Sequence, residues 1–189
     1  MDTLLSWSTS LLQPFRAMLD CLPFSNLRQG AEASNSSMDF YHDQSYRYDV
    51  FISFRGPDTR NTFVDHLYAH LKRKGIFAFK DDQRLEKGES LSPQLLQAIQ
   101  NSRISIVVFS ERYAESTWCL EEMATIAECR KRLKQTVFPV FYDVDPSHVR
   151  KHIGVFKSNN CTYDRNKVVR WQEAMTELGN LVGFDVRDK

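Results

Sequence analysis

Several things are scarce in this sequence, and each shortage removes a class of protein. Only four cysteines occur in 189 residues: Cys21, Cys119, Cys129 and Cys161. None forms a C-x-x-C pair and two lie in apolar-periodic segments, so they read as reduced thiols of a cytosolic protein rather than a disulfide framework. The formal net charge is only +1, whereas a general nucleic-acid clamp is normally basic. No apolar run reaches the roughly 20 residues that span a bilayer. The phosphate loop G-x-x-x-x-G-K-[ST] is absent, and so is H-E-x-x-H. His66 and His70 are four apart, as are His148 and His152. Neither pair has a third ligand nearby in sequence, so no metal site is expected.

What is present is an alternation of strands and helices. Tyr48–Phe54, Y-D-V-F-I-S-F, is nearly all apolar, as in a parallel strand buried on both faces. R-G-P-D-T-R at 55–60 reads as a tight loop. Phe63, Leu67, Tyr68, Leu71 and Lys74 mark an amphipathic helix ended by Gly75. Ile76–Lys80 is a second strand, and 81–90 is a charged loop hinged at Gly88. Leu91, Leu95, Leu96 and Ile99 carry a second helix, with Pro93 near its first turn. Ile104–Phe109 is a third strand and Thr136–Tyr142 a fourth, where Pro139 predicts a bulge or a gap. D-V-D-P-S at 143–147 is a turn. Val168, Trp171, Met175, Leu178 and Leu181 line a last helix, and Gly183–Val186 forms a short edge strand. This order is α/β: a parallel sheet with helices on both faces. Ligands of such sheets bind at the carboxyl ends of the strands. There the loops at 55–60, 81–90, 110–117 and 143–150 gather Arg55, Arg60 and Arg84 with a glutamate, a set suited to a phosphate-rich ligand bearing a sugar.

The glutamate comes from S-E-R-Y-A-E-S-T-W-C-L-E-E-M, residues 110–123. Ser116 or Thr117 can cap the helix that begins here. Glu121 and Glu122 then lie about 100° apart around its axis. Glu122 shares a face with Cys119, Met123, Ile126 and Arg130, while Glu121 falls with Trp118, Thr125 and Glu128. Glu122 is therefore either a carboxylate aimed at the mouth of the sheet or a helix-dipole glutamate in solvent. The strand ends exclude two other chemistries. A phosphate receiver wants acids where Phe54-Arg55 and Phe109-Ser110 stand, and R-G-P-D-T-R is no flavin phosphate loop. Cys119 has no histidine placed near it by the strand order, which disfavours a Cys–His nucleophile.

Several long blocks now identify a family. Y-D-V-F-I-S-F-R-G-P-D-T-R at 48–60, G-I-F-A-F-K-D-D at 75–82, L-E-K-G-E-S at 85–90, the run from Ala98 to Met123, and F-P-V-F-Y-D-V-D-P-S-H-V-R at 138–150 occur in order. The chain from about Tyr48 to Lys189 resembles the TIR domain of plant disease-resistance proteins. The resemblance implies a flavodoxin-like fold with a five-stranded parallel sheet. It also implies an NAD+-cleaving activity, switched on by self-association in immune signalling, that releases nicotinamide and forms ADP-ribose or cyclic and derived nucleotides. NAD+ would be the substrate, with no cofactor. Glu122 matches the catalytic glutamate of the motif W-C-L-x-E-[LM]. The implied substrate-binding set is Phe54, Arg55, Gly56, Arg60, Asp82, Arg84, Ser110, Trp118 and Cys119, where Trp118 either packs or stacks on adenine. His66 matches half of a serine–histidine pair that supports self-association with other TIR domains. The expected location is cytoplasmic or nuclear.

The departures from the family pattern also carry expectations. Pro57 stands where an acid is usual, and Asp65 where the serine of the pair is usual. The chain ends at G-F-D-V-R-D-K, so the family's final helix is expected to be missing. The alternative function is thus a non-catalytic adaptor or modulator joining TIR assemblies of full-length receptors. Residues 1–47 read as an extension. Leu4, Leu5, Leu11, Leu12, Phe15, Met18, Leu19 and Leu22 recur at helical spacing and could touch a membrane or the domain. A polar linker from Arg28 to Ser45 follows. Disorder over most of 1–47 is the competing reading.

Overall fold

The computed structural model describes residues 46–80, 91–152 and 163–187. The apolar runs become five strands: β1 (Tyr48–Phe54), β2 (Ala78–Lys80), β3 (Ser102–Phe109), β4 (Thr136–Tyr142) and β5 (Phe184–Val186). All pair in parallel in the order β2-β1-β3-β4-β5. Val50 to Phe54 are buried without interruption, which requires cover on both faces of the sheet. On one face, Phe51, Val107, Phe109 and Phe141 share a core with α3 (Pro93–Gln100), α4 (Thr117–Leu133) and α6 (Arg165–Gly179).

The expected tight loop at 55–60 is instead helical. Gly56–Thr59 forms α1, Arg60–Val64 a π turn, and Asp65–Arg73 α2. Pro57 sits in the first turn, where its missing N–H costs nothing and its fixed φ favours the helix. The 143–147 turn likewise runs into a short helix, α5 (Pro146–Arg150), capped by Asp145 Oδ1, which accepts from Ser147 N at 2.8 Å. The capping choice at α4 falls to Ser116, whose Oγ accepts from Cys119 N at 3.3 Å.

The bulge expected at Pro139 does not form. The β3–β4 ladder runs from Ile104↔Thr136 to Phe109↔Phe141 without a skipped residue, and Pro139 sits opposite Val107. The carbonyl of Pro139 faces the β5 side, where a Cβ on Gly183 would come within 2.5 Å of it. In a parallel strand the N and O of one residue point to the same side. The missing donor therefore faces β5 just ahead of its first pair, Val140↔Phe184, and no ladder bond is lost.

Beyond α4 the chain turns through Lys134 in a left-handed conformation, φ 57 and ψ 27. Buried Gln135 follows and stitches three segments together. Its Nε2 donates to the carbonyls of Ile99 and Ser102, each at 2.7 Å, and its Oε1 accepts from Ser105 Oγ at 3.0 Å. No described helix is long and apolar enough to cross a membrane.

Candidate functional site at the ends of β1 and β3

Strand order reverses between β1 and β3, since β2 lies on one side of β1 and the later strands on the other. A crevice opens where adjacent parallel strands send their connections in opposite directions, and open α/β sheets bind ligands there. Ser53 and Arg55 lie at the end of β1 and Ser110 just past the end of β3. The turn at Tyr113–Glu115 and the start of α4 complete the rim.

Of the two readings of its helical face, Glu122 takes the inward one. It is 2% exposed despite its charge type. Its Oε2 is hydrogen-bonded to Ser53 Oγ at 2.6 Å. Ser53 Oγ is in turn 2.8 Å from the Tyr113 hydroxyl, which donates to the Cys119 carbonyl at 3.0 Å. Ser53 and Tyr113 are both fully buried. Burial, then the Cys119 thiol and the Glu122 carboxyl, hold the Tyr113 phenol well above its ordinary pKa. The Cys119 thiol is raised too, by burial and then by Glu122, and its Sγ donates to the Phe54 carbonyl at 3.5 Å. A thiol in that setting stays protonated, which disfavours a nucleophilic role.

Glu121, one residue earlier, points elsewhere. Its Oε2 accepts from Arg170 Nη1 on α6 at 2.6 Å, and Arg170 Nε also donates to Glu128 at 2.6 Å. The outer face of α4 is therefore a docking seam for α6 rather than a solvated surface. Trp118 packs half-buried against the core, as the packing reading required.

The arginines are distributed unevenly. Arg55 Nη1 donates to Asp58 Oδ1 at 2.8 Å and Nη2 to Glu115 Oε2 at 3.2 Å. Asp58 is the hinge of this rim. It also accepts from Ser110 Oγ at 2.7 Å, from Arg112 N at 3.2 Å and from Arg112 Nη2 at 3.0 Å. Burial pushes the Asp58 carboxyl up, but the Ser110 hydrogen bond and the Arg55 charge outweigh it, and its pKa is lowered. Arg60 lies over the Phe54 ring, 5.1 Å from its centre. Gly56 permits this, because a Cβ there would meet Arg60 Nη2 at 3.0 Å. His66 is exposed on α2. Asp82, Arg84 and the amphipathic segment 4–22 lie outside the described residues.

The structure therefore brings together Glu122, Cys119, Phe54, Arg55 and Ser110, and adds Ser53, Asp58 and Tyr113. The last three were missed because each looks ordinary in sequence. Ser53 is the single serine in a largely apolar strand, Asp58 a loop acid and Tyr113 a turn aromatic. A serine inside the apolar run Val50–Phe54 was the signal available.

The TIR domain family model matches residues 47–189. The chain is 52% identical over 159 residues to the disease resistance protein RPV1 of Vitis rotundifolia, covering 82% of this chain and 11% of that protein. It is 51% identical over 151 residues to the TMV resistance protein N of Nicotiana glutinosa, covering 76% of this chain and 13% of that one. The chain thus spans about an eighth of the length of these relatives. Among solved structures, the TIR domains of the activated Roq1 resistosome, which recognises the pathogen effector XopQ, superpose with a TM-score of 0.65 at 51% identity. That match covers 73% of this chain and 87% of the solved one.

Proposed function

Since the chain belongs to the TIR domain family, we propose that it cleaves NAD+ at the nicotinamide–ribose bond when its domains associate, as part of plant immune signalling. The observation that supports this reading is Glu122, a buried carboxyl held at the switch point of the sheet. Nicotinamide departs as a neutral molecule from a cationic substrate, so its departure needs no general acid. The ribose carbon becomes oxocarbenium-like as the bond breaks, and one carboxylate beside it stabilises that charge and orients the ribose hydroxyls. Arg55 would meet the phosphates; its Nε–H, buried without a hydrogen-bond partner, supports that role. The Roq1 assembly named above is the precedent for self-association, with His66 exposed on α2 to take part.

A second reading is a non-catalytic module that joins other TIR domains. Two observations favour it: Glu122 is 2% exposed, and both Nη atoms of Arg55 are occupied by Asp58 and Glu115. The 189-residue chain, incubated with NAD+ with and without a crowding agent, separates the two. Nicotinamide release that disappears in Glu122→Ala supports the enzyme. No release at concentrations where the protein self-associates overturns it and leaves the module.

A further inference from the structure

We propose that Glu115 is a specificity-determining residue of this site: it sits on Arg55 as a built-in counter-ion, and a ligand takes its place only by bringing a phosphate to the same edge of the guanidinium. The inference deepens the NAD+-cleaving reading and rests on it for the identity of the ligand. It starts from how unequally Arg55 is held. Nη1 of Arg55 donates to Asp58 Oδ1 at 2.8 Å, and that acid side chain is only 9% exposed. Asp58 also accepts from Ser110 Oγ and from the backbone and side chain of Arg112, so its position is fixed. Nη2 donates to Glu115 Oε2 at 3.2 Å, and that side chain is 43% exposed. Among the described residues, Arg55 is the single hydrogen-bond partner of the Glu115 carboxylate. Asp58 is thus the fixed partner of Arg55 and Glu115 the exchangeable one.

The guanidinium is a rigid planar fork of five N–H donors. Nε and Nη2 form one edge of it, on which an oxyanion can accept two parallel bonds. Glu115 accepts from Nη2 alone, while the Nε–H on the same edge is buried without a hydrogen-bond partner. A buried unsatisfied donor is costly. The edge therefore suits a bidentate phosphate better than the single carboxylate oxygen that it holds. Charge points the same way. Arg55 and Arg112 face Asp58 and Glu115, two cations against two acids. With Glu115 turned out to solvent, the rim gains one positive charge, which favours an anion. Glu115 ends the turn Tyr113–Glu115, in which Tyr113 and Ala114 are buried. The backbone is anchored there, so the exchange needs only rotation of one exposed side chain. A ligand without a phosphate leaves the Glu115–Arg55 pair in place. A phosphate replaces one exposed contact by two parallel bonds.

Removing the Glu115 charge should therefore improve binding. A merely structural clamp on Arg55 predicts the opposite sign, because its loss would loosen the arginine. The experiment is calorimetric titration with ADP-ribose, a pyrophosphate probe with no bond to nicotinamide, so that binding is read without turnover. The 189-residue chain is compared with Glu115→Gln, which keeps the size and removes the charge. Glu111→Gln is the control. Glu111 is exposed in the same connection, and its loss removes the same charge, but it is not among the described partners of Arg55. Glu115→Gln is expected to bind ADP-ribose about two- to fivefold tighter than wild type, the span of exposed ion pairs, and Glu111→Gln about as wild type does. Binding that is unchanged or weaker in Glu115→Gln overturns the proposal. Equal gains in the two variants overturn it as well, since charge alone would then account for them. So does the absence of binding to both wild type and Glu115→Gln. Nicotinamide release is followed on the same samples. The KM for NAD+ should fall by the same factor at unchanged kcat, the mark of a contact shared by ground and transition states. The kcat/KM for nicotinamide riboside, which has no phosphate, should stay as in wild type, and a rise equal to that for NAD+ overturns the proposal. Tighter ADP-ribose binding confined to Glu115→Gln, without any nicotinamide release, supports the role of Glu115 and counts against the enzyme. Release from NAD+ with an unchanged KM in Glu115→Gln overturns the role of Glu115 and leaves the enzyme standing.

Discussion

Asp58 accepts the Ser110 hydroxyl at 2.7 Å, joining residues 52 apart in sequence. That single carboxylate ties the first turn after β1 to the end of β3, and so fixes the mouth of the crevice in which Glu122 sits. Its other donors, Arg55 and Arg112, converge on the same two oxygens.

Replacing Asp58 by Asn keeps the size but removes the charge that three neighbours address. Hydrogen bonds to charged groups contribute about 1.5–3 kcal/mol, and the side chain is only 9% exposed. A loss of about 2 kcal/mol at neutral pH is expected. The carboxyl pKa is lowered in the folded state below its ordinary 3.8. Its stabilisation is thus present above that value and lost as pH falls through the lowered one. Urea unfolding at neutral pH and at about pH 3 checks both points. The gap between wild type and Asp58→Asn should narrow in acid.

Glu121 and Glu122 are adjacent and should fail in opposite ways. Glu121→Ala loses the ion pair to Arg170, a partly exposed contact between α4 and α6. Its expected cost is about 0.5–1 kcal/mol, smaller in high salt, with nicotinamide release retained. Glu122→Ala should abolish nicotinamide release. Unfolding at two salt concentrations beside the NAD+ assay tests the pair. Release lost in Glu121→Ala would contradict the assignment.

Gln135→Leu fits the space but strands two buried carbonyls and the Ser105 hydroxyl. Unsatisfied buried groups cost about 1–3 kcal/mol each, reduced where the chain relaxes to admit water. A total near 3 kcal/mol is expected, read as a lower denaturant midpoint with an unchanged slope. A midpoint equal to wild type would mean that the amide holds nothing together.

Gly183→Ala places a methyl 2.5 Å from the Pro139 carbonyl oxygen and 2.7 Å from Pro139 Cγ. Neither atom is the end of a flexible chain, so β5 must move away from β4. Overpacking of this kind costs about 1–3 kcal/mol. Hydrogen exchange at Phe184 to Val186 should speed up more than at β1 or β3.

The strand and helix order was legible because unbroken apolar runs mark strands buried on both faces and period-3.6 patterns mark one-sided helices. The same periodicity put Glu122 in the company of Cys119, Met123 and Ile126 but left open a solvated helix-dipole carboxylate, and the burial of Glu122 decides between the two. Left open were matters decided by partners far along the chain. Nothing local marks Gln135 as buried, since its acceptors are Ile99 and Ser102. Pro139 reads as a ladder breaker until the side its nitrogen faces is known. Asp58 lies within a recognisable motif, yet its grip on Ser110 and Arg112 depends on β1 and β3 being neighbours. The helical start at Gly56 was hidden because Gly-Pro-Asp more often signals a turn.

The place of β1 beside β3 has a consequence for the order in which a cell makes this chain. Ser53 leaves the ribosome long before Glu122, which lies 69 residues behind it, and β1 cannot acquire its β3 neighbour until residues 102–109 have emerged. Synthesis at about 5–20 residues per second leaves β1, a nearly all-apolar segment, waiting for several seconds. During that interval the nascent chain has a hydrophobic strand but no acidic centre. Whatever Glu122 does is therefore withheld until the middle of the sheet has closed.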